Sequence, residues 1–348
     1  MTRWLFFLAI ALAVFARSTW AQSLPAQAFL GAQMSMVYQD VNRCSAAALS
    51  IQLSYWEEER VDYRGIIARL NPNSGDVSVR IEEMADHAIE RGLGAIVRRG
   101  GTIELMKRLV AAGFPVLVEN TYYESADRNK GWLSHNRVLV GYDDRYFYFY
   151  DSLLGNGDGR GKTFTFADFD ARWLAFNRDY LVVYAPEQAF LLRGIIGDDW
   201  DETQNARNVL EQAQVDLETY RQSTDQAFIR MNMAWAYLML NQDAEAAQAV
   251  DEALRLGLPW RYFWYEFSAF EAYLRVGRYD DLLALGNRTL ATFGAEQGVE
   301  ELYYYMGKAR EAQGETTLAR GNYEAAMLRN ANFTEAQQAL DALKGAGD

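Results

Sequence analysis

The sequence predicts two unlike parts: an α+β domain of helices and an antiparallel sheet, followed by an all-α array of helical repeats. Three observations carry this reading. From about residue 33 to 186 the hydrophobic spacing is helical at first and strand-like later. Past about residue 190 the strand-type runs stop, and the helical tail can be laid over itself at spacings of 36 and 37 residues. At 348 residues, half of them hydrophobic, the chain is long enough for two domains, each with a sizeable core.

The first 21 residues read as a secretory signal. Arg3 supplies the positive start, "WLFFLAIALAVFA" from Trp4 to Ala16 the apolar core, and "TWA" ending at Ala21 the small residues of a cleavage site. The apolar run is too short for a comfortable membrane span. The expectation is an exported protein, periplasmic or extracellular, without stable membrane insertion once the signal is removed. The formal net charge is −13, and losing Arg3 and Arg17 with the signal leaves 32 basic against 47 acidic residues. Such a chain repels nucleic acid and anionic lipid.

In the first domain, Ala46 to Trp56, Ile81 to Arg91 and Ile103 to Ala112 have helical spacing, the last closed by Gly113. "PVLVEN" from Pro115, "RVLVGY" from Arg137 and "YFYFYD" from Tyr146 are β-branched and aromatic runs of strand type. "DDR", Asp143 to Arg145, is turn chemistry, so Arg137 to Asp151 reads as a hairpin. In the tail the repeats align Ala246, Leu282 and Ala319, with Ala213 marking half of an earlier unit and aromatics at Tyr237, Tyr273, Tyr279 and Tyr323. Small residues at close helix contacts and this period resemble a short tetratricopeptide array, whose concave face suits a peptide or partner protein. The domains read as 22–188 and 189–348 after the signal at 1–21, and the composition change predicts that Gln22 to about Pro186 folds alone.

Cys44, in "YQDVNRCSAAALSIQLSYW", is the sole cysteine. An unpaired thiol in an exported chain is liable to oxidation, so either it fills a core or it does chemistry. At the start of a helix a thiol feels the positive end of the dipole, which favours thiolate. Gln39, five residues earlier, could donate with backbone N–H groups to an oxyanion. A cysteine nucleophile also needs a base, and there are two histidines. His87 sits mid-helix in "EEMADHAIERG" and reads as solvated; His135 opens the hairpin. If Tyr142 lies opposite Tyr146, Asp151 falls across from Arg137, two places from His135 on the same sheet face; a shift of one residue would separate the pair.

"GNGDGRGK", Gly155 to Lys162, lacks the ordered carboxylates of an EF-hand and the ending of a P-loop, and reads as a connection. One cysteine and two separated histidines give no zinc-ligand spacing. No cofactor and no metal are expected.

Taken together, Gln39 before Cys44, Tyr55 with Trp56 at the helix end, "AGFPVLVE", His135 opening "VLVGYDD" and Asp151 in "YDSLLG" resemble the bacteriocin-processing, double-glycine leader peptidases and their exported relatives among the papain-like cysteine proteases. The resemblance runs over about residues 33 to 185 and includes "TFTFADFDARW". It implies a papain-like fold with Cys44 as nucleophile, His135 as general base, Asp151 as its orienter and Gln39 as oxyanion donor, acting on a peptide or isopeptide bond. Two positions depart from the pattern: Ser45-Ala46 replaces the usual Gly-Pro after the cysteine, and Asn136 replaces an aromatic or apolar residue after the histidine. The expected partners are a peptide or protein substrate and a protein on the repeats. The rival reading is a papain-like domain with weakened turnover that serves as a peptide-binding scaffold.

Overall fold

A computed structural model describes residues 24–57, 61–124 and 131–345; the expected signal lies outside them. The first region is a seven-stranded sheet with helices on both faces. Its strands are β1 (Ala28–Phe29), β2 (Gly94–Arg98), β3 (Val116–Tyr123), β4 (Trp132–Tyr142), β5 (Tyr146–Asp151), β6 (Lys162–Thr165) and β7 (Tyr180–Tyr184). They run in the order β2-β7-β3-β4-β5-β6, with β1 added against the far end of β4, and every pairing is antiparallel.

Because side chains alternate along a strand, the sheet sorts its residues onto two faces. Leu117, Val138, Leu181 and Val183 meet α1 (Cys44–Leu53), α2 (Tyr63–Leu70) and α3 (Ile81–Glu90) through Leu49, Ile51, Ile66 and Met84. Val116, Val118, Leu139, Phe149 and Val182 meet α4 (Ile103–Ala111) and α5 (Phe166–Trp173) through Leu105, Leu109, Phe169 and Trp173. Gln52 pins α1 to the sheet: its buried Nε2 donates to Pro115 O at 3.0 Å and Leu181 O at 2.9 Å. The C-terminal end of α1 is therefore fixed against β7 and the entry to β3.

After α6 (Ala189–Ile196) the chain is helical: α7 (Glu202–Thr219), α8 (Ser223–Met239), α9 (Asp243–Leu256), α10 (Ser268–Arg275), α11 (Tyr279–Leu290), α12 (Glu300–Ala312), α13 (Thr316–Arg329) and α14 (Thr334–Gly345). Ala246, Leu282 and Ala319 are each the fourth residue of α9, α11 and α13, and each is fully buried. Two residues before each of these helices the backbone turns left-handed, at Asn241 (φ 57°), Gly277 (φ 73°) and Gly314 (φ 79°). Glycine takes that conformation without strain and asparagine at small cost, which lets the chain reverse tightly between helices. Among the described residues no helix is long and apolar enough to cross a membrane.

The two regions share a core. Trp132, at the start of β4, lies 5.6 Å from the ring of Phe176 and 6.0, 5.8 and 6.0 Å from those of Phe228, Tyr262 and Tyr265 in the helical region. Arg178 bridges Asp170 on α5 and Asp216 on α7 at 2.6 Å each. Asp76 pairs with Gly298 as a parallel β-bridge, and Asn330 Nδ2 donates to Leu70 O at 3.1 Å. Many contacts thus cross the point where the composition changes.

Candidate active site

Cys44 is the first residue of α1, and the N-cap residue Arg43 makes no side-chain capping hydrogen bond to the helix. The first N–H groups of a helix have no intrahelical partner, so the positive end of the dipole lies at the residue that carries the thiol. His135 lies within β4 rather than at its start, because the strand begins at Trp132. Asp151 ends β5 directly opposite Arg137.

The register that brings them together is reached by an unexpected route. Tyr142 pairs with Phe147, one residue out of the expected register, and Gly141 with Tyr148; a bulge before Leu139 then restores the pairing of Leu139 with Phe149 and of Arg137 with Asp151. Asp143 Oδ1 fixes the turn by accepting from the backbone N–H groups of Arg145 and Tyr146 at 2.8 Å each. His135 and Asp151 consequently share a face.

His135 Nε2 lies 2.9 Å from Asp151 Oδ1, leaving Nδ1 for the thiol. The same oxygen accepts from the backbone N–H groups of Leu153 at 2.8 Å and Leu154 at 2.9 Å, and Oδ2 accepts from Arg137 Nε at 2.6 Å. Burial would raise the Asp151 carboxyl, but His135, Arg137 and these N–H groups hold it well below the usual carboxylate range. Burial opposes charge on His135, yet hydrogen bonding to Asp151 and Cys44 raises its pKa above the ordinary imidazole value. Burial likewise pushes the Cys44 thiol up, but hydrogen bonding and charge from His135, with hydrogen bonds from Asn136, bring it down to about 7.

Gln39 sits in the loop before α1. Its backbone N–H donates to Ser152 O at 3.0 Å, and its Oε1 accepts from Ser152 Oγ at 2.7 Å. With the oxygen held, the amide's N–H₂ end remains for another acceptor. The four sequence-selected residues therefore surround one place: Gln39, Cys44 and His135 line a cavity of about 280 Å³, and Asp151 stands behind the histidine. His87 is not part of it; it is buried on α3, rather than solvated, with Nδ1 3.5 Å from Glu90 Oε2.

The two departures from the family pattern meet each other. Asn136 Nδ2 donates to Ser45 Oγ at 3.2 Å and lies 3.7 Å from Cys44 Sγ. A serine in place of glycine and an amide in place of an apolar side chain form one polar contact beside the thiol.

Several residues at the site were not singled out from sequence. Arg137 and Ser152 hold Asp151 and Gln39; only the hairpin register pointed toward Arg137. Glu119, on β3 beside Asn136, is buried, accepts from Ser134 Oγ, and has its carboxyl pushed well up by burial and by Asp179. From the helical region, Arg261, Trp264, Tyr265 and Gln297 line the same cavity as Cys44. The signal for three of them was the dense aromatic run "LPWRYFWYEF" between two repeats.

Residues 30–181 match the model of the Peptidase_C39 like family. A solved structure from Bacillus anthracis, described as a C39-like peptidase, is 19% identical over 46% of this chain and 98% of that one, with a TM-score of 0.37. No curated protein matches the chain. Residues 30–181 are thus similar to the C39-like peptidases, and a long all-helical region follows the sheet.

Proposed function

We propose that the chain is a cysteine peptidase in which Cys44 attacks a peptide or isopeptide carbonyl, His135 moves the proton, Asp151 orients His135, and Gln39 donates to the oxyanion. The observation that carries this is the line from Asp151 through His135 to a thiol whose pKa is brought down to about 7. In the first half-reaction the thiolate forms a bond to the carbonyl carbon, and the oxyanion is stabilised by Gln39 and the N–H groups at the start of α1. Its collapse breaks the C–N bond as imidazolium gives its proton to the departing amine. In the second, His135 takes a proton from water, the hydroxide adds to the thioester, and the acid is released with Cys44 regenerated.

We assign the helical region the role of a cleft wall that selects substrate, since Arg261, Trp264 and Tyr265 face the cavity that holds the thiol. Arg261 also reaches Glu124, which follows β3, at 3.0 Å, so that wall is tied to the sheet. The tetratricopeptide-like spacing fits capture of a peptide or partner protein, and residues 1–21 fit export. The scaffold reading rests on the Asn136–Ser45 contact, which places an amide against the nucleophile.

The deciding experiment incubates the protein with a mixed peptide library under reducing conditions. Cleavages that vanish in Cys44→Ala support the peptidase. A folded protein that retains peptides but cleaves none of them supports the scaffold.

A further inference from the structure

Away from the thiol, three glutamates meet at the seam between the two regions. Glu83 lies on α3, and Glu300 and Glu301 open α12; one oxygen from each lies within 4.8 Å of the other two. Glu300 and Glu301 are 1% and 2% exposed, and the neighbouring Asp76 is 0% exposed. Hydrogen bonds satisfy only part of this set: Asn330 Nδ2 donates to Glu300 Oε1 at 2.7 Å, Arg80 N to Glu83 Oε2 at 2.9 Å, and Ser78 N to Asp76 Oδ1 at 3.1 Å. Glu300 Oε2, both oxygens of Glu301 and Asp76 Oδ2 are buried without a hydrogen bond.

Positive charge is short here. Arg80 Nε lies 3.1 Å from Glu301 and 3.6 Å from Glu83, but it is off the line of a hydrogen bond, and the guanidinium's NH2 is engaged by Glu335 at 3.0 Å. Arg80 thus faces Glu83, Glu301 and Glu335, while Asp76 feels the charge of Arg43 and Glu300 is held by Asn330; the buried carboxylate oxygens left without a hydrogen bond are costly unless protons or a further cation are taken up.

We propose that Glu83, Glu300 and Glu301 bind a hard divalent cation of the calcium class. The donors are all carboxylate oxygens, with no nitrogen or sulfur, which suits calcium or magnesium over zinc or copper. Three oxygens at the outer limit of 4.8 Å from one another lie about 2.8 Å from a common centre, so the set closes by only a few tenths of an ångström to reach the roughly 2.3–2.6 Å at which calcium holds oxygen.

The consequence reaches the cleft. Gly298 N donates to Gly75 O at 3.0 Å and Val77 N to Gly298 O at 3.3 Å, so the loop beside the glutamates is stitched to the chain just before α12. Val77, Ser78 and Gln297 on these two segments line the cavity that holds Cys44. A cation here clamps one wall of that cavity.

The test uses the full chain, stripped with EDTA, titrated with calcium chloride and then magnesium chloride by calorimetry at neutral pH, alongside thermal unfolding. One saturable site and a melting temperature raised by calcium and lowered by EDTA are expected. Glu301→Gln should weaken binding by about tenfold or more. A wild-type chain with neither heat nor a melting shift at millimolar calcium or magnesium overturns the proposal without recourse to a variant. A Glu301→Gln chain that binds as tightly as wild type also overturns it. Neither readout involves peptide cleavage, so the result stands apart from that of the peptidase assay.

Discussion

Arg137 and His135, two residues apart on β4, divide the oxygens of Asp151 between them: Arg137 Nε reaches Oδ2 at 2.6 Å and His135 Nε2 reaches Oδ1 at 2.9 Å. All three side chains are buried. The carboxylate is held as an anion by a fixed charge as well as by the group it orients, and Arg137 in turn lowers the pKa of His135. Replacing Arg137 with Met leaves a buried carboxylate with one partner fewer. We expect a loss of about 3–5 kcal/mol in urea unfolding, as for a broken buried pair, and a further rise in the His135 pKa seen by NMR titration. An unchanged His135 titration in a folded variant would show that Arg137 serves packing alone.

The thiol pKa of about 7 sets the pH dependence of alkylation. Thiolate is the reacting species, so the iodoacetamide rate should rise with a midpoint near 7 rather than at the ordinary thiol value of about 8.5. His135→Ala removes the largest of the causes that lower the pKa and leaves the Asn136 hydrogen bonds against burial, which raises it; the midpoint should move upward. Asp151→Asn keeps the imidazole but loses its orientation, and should shift the midpoint less. A native Cys44 that reacts only on unfolding would rule out the catalytic role.

Gln39 should separate chemistry from reactivity. Its Oε1 is engaged by Ser152 Oγ at 2.7 Å, which leaves the donor end of the amide for an acceptor in the cavity that Gln39 lines. The proposed acceptor exists only during the reaction, so Gln39→Ala should leave alkylation unchanged while lowering kcat by about 10²–10³, the usual cost of one oxyanion donor. A parallel loss in alkylation would place Gln39 in the thiol's ground state instead.

How far the site was legible depended on which interactions are local. The cysteine at a helix start and the pairing of Arg137 with Asp151 follow from short-range pattern and hairpin geometry. The turn itself was misjudged by one residue, and the bulge that cancels the error is invisible to alternation because it costs only one unpaired residue between Leu139 and Gly141. Ser45 and Asn136 stood out singly, but their contact depends on how α1 crosses β4. The wall formed by Arg261, Trp264 and Tyr265 lies more than two hundred residues from Cys44, and no periodicity within the repeats encodes where the array docks.

The buried acids beside the cleft and at the seam predict a stability that falls with pH. Burial is the largest cause raising the carboxyl of Asp179 to about 8, and it also drives up those of Glu119 and Asp76. A group whose folded pKa exceeds its unfolded value binds more protons when folded, so its favourable contribution is present below the unfolded pKa of about 4 and is lost as pH rises toward the folded one. Asp151 acts in the opposite sense: its folded pKa is depressed, so its contribution is present above about pH 4 and lost on acidification. Urea midpoints should decline between about pH 5 and pH 8, and Asp179→Asn should flatten the upper part of that slope. A midpoint that climbs steadily over this range would mean these carboxyls are ionised at no cost.

The shared core decides whether the first region can stand alone. Composition suggested that few contacts cross near residue 190, yet Trp132 packs its ring among Phe176 from its own region and Phe228, Tyr262 and Tyr265 from the other. Leu174 and Ala175 belong to the same cluster, and Asn232 Nδ2 donates to Leu174 O at 3.0 Å. Removing the helical region would expose this aromatic face and leave Arg178 without Asp216. A fragment of residues 24–186 should therefore bind a hydrophobic dye and lose near-ultraviolet circular dichroism while keeping much of its far-ultraviolet signal. In the full chain, Trp132→Ala should cost about 3–5 kcal/mol, the usual range for deleting a buried aromatic. Both regions should then melt in one transition at a lower temperature, because the lost ring served both cores. Two separate transitions in the wild-type chain, or a fragment with native near-ultraviolet signal, would show that the seam is a docking surface between independent domains.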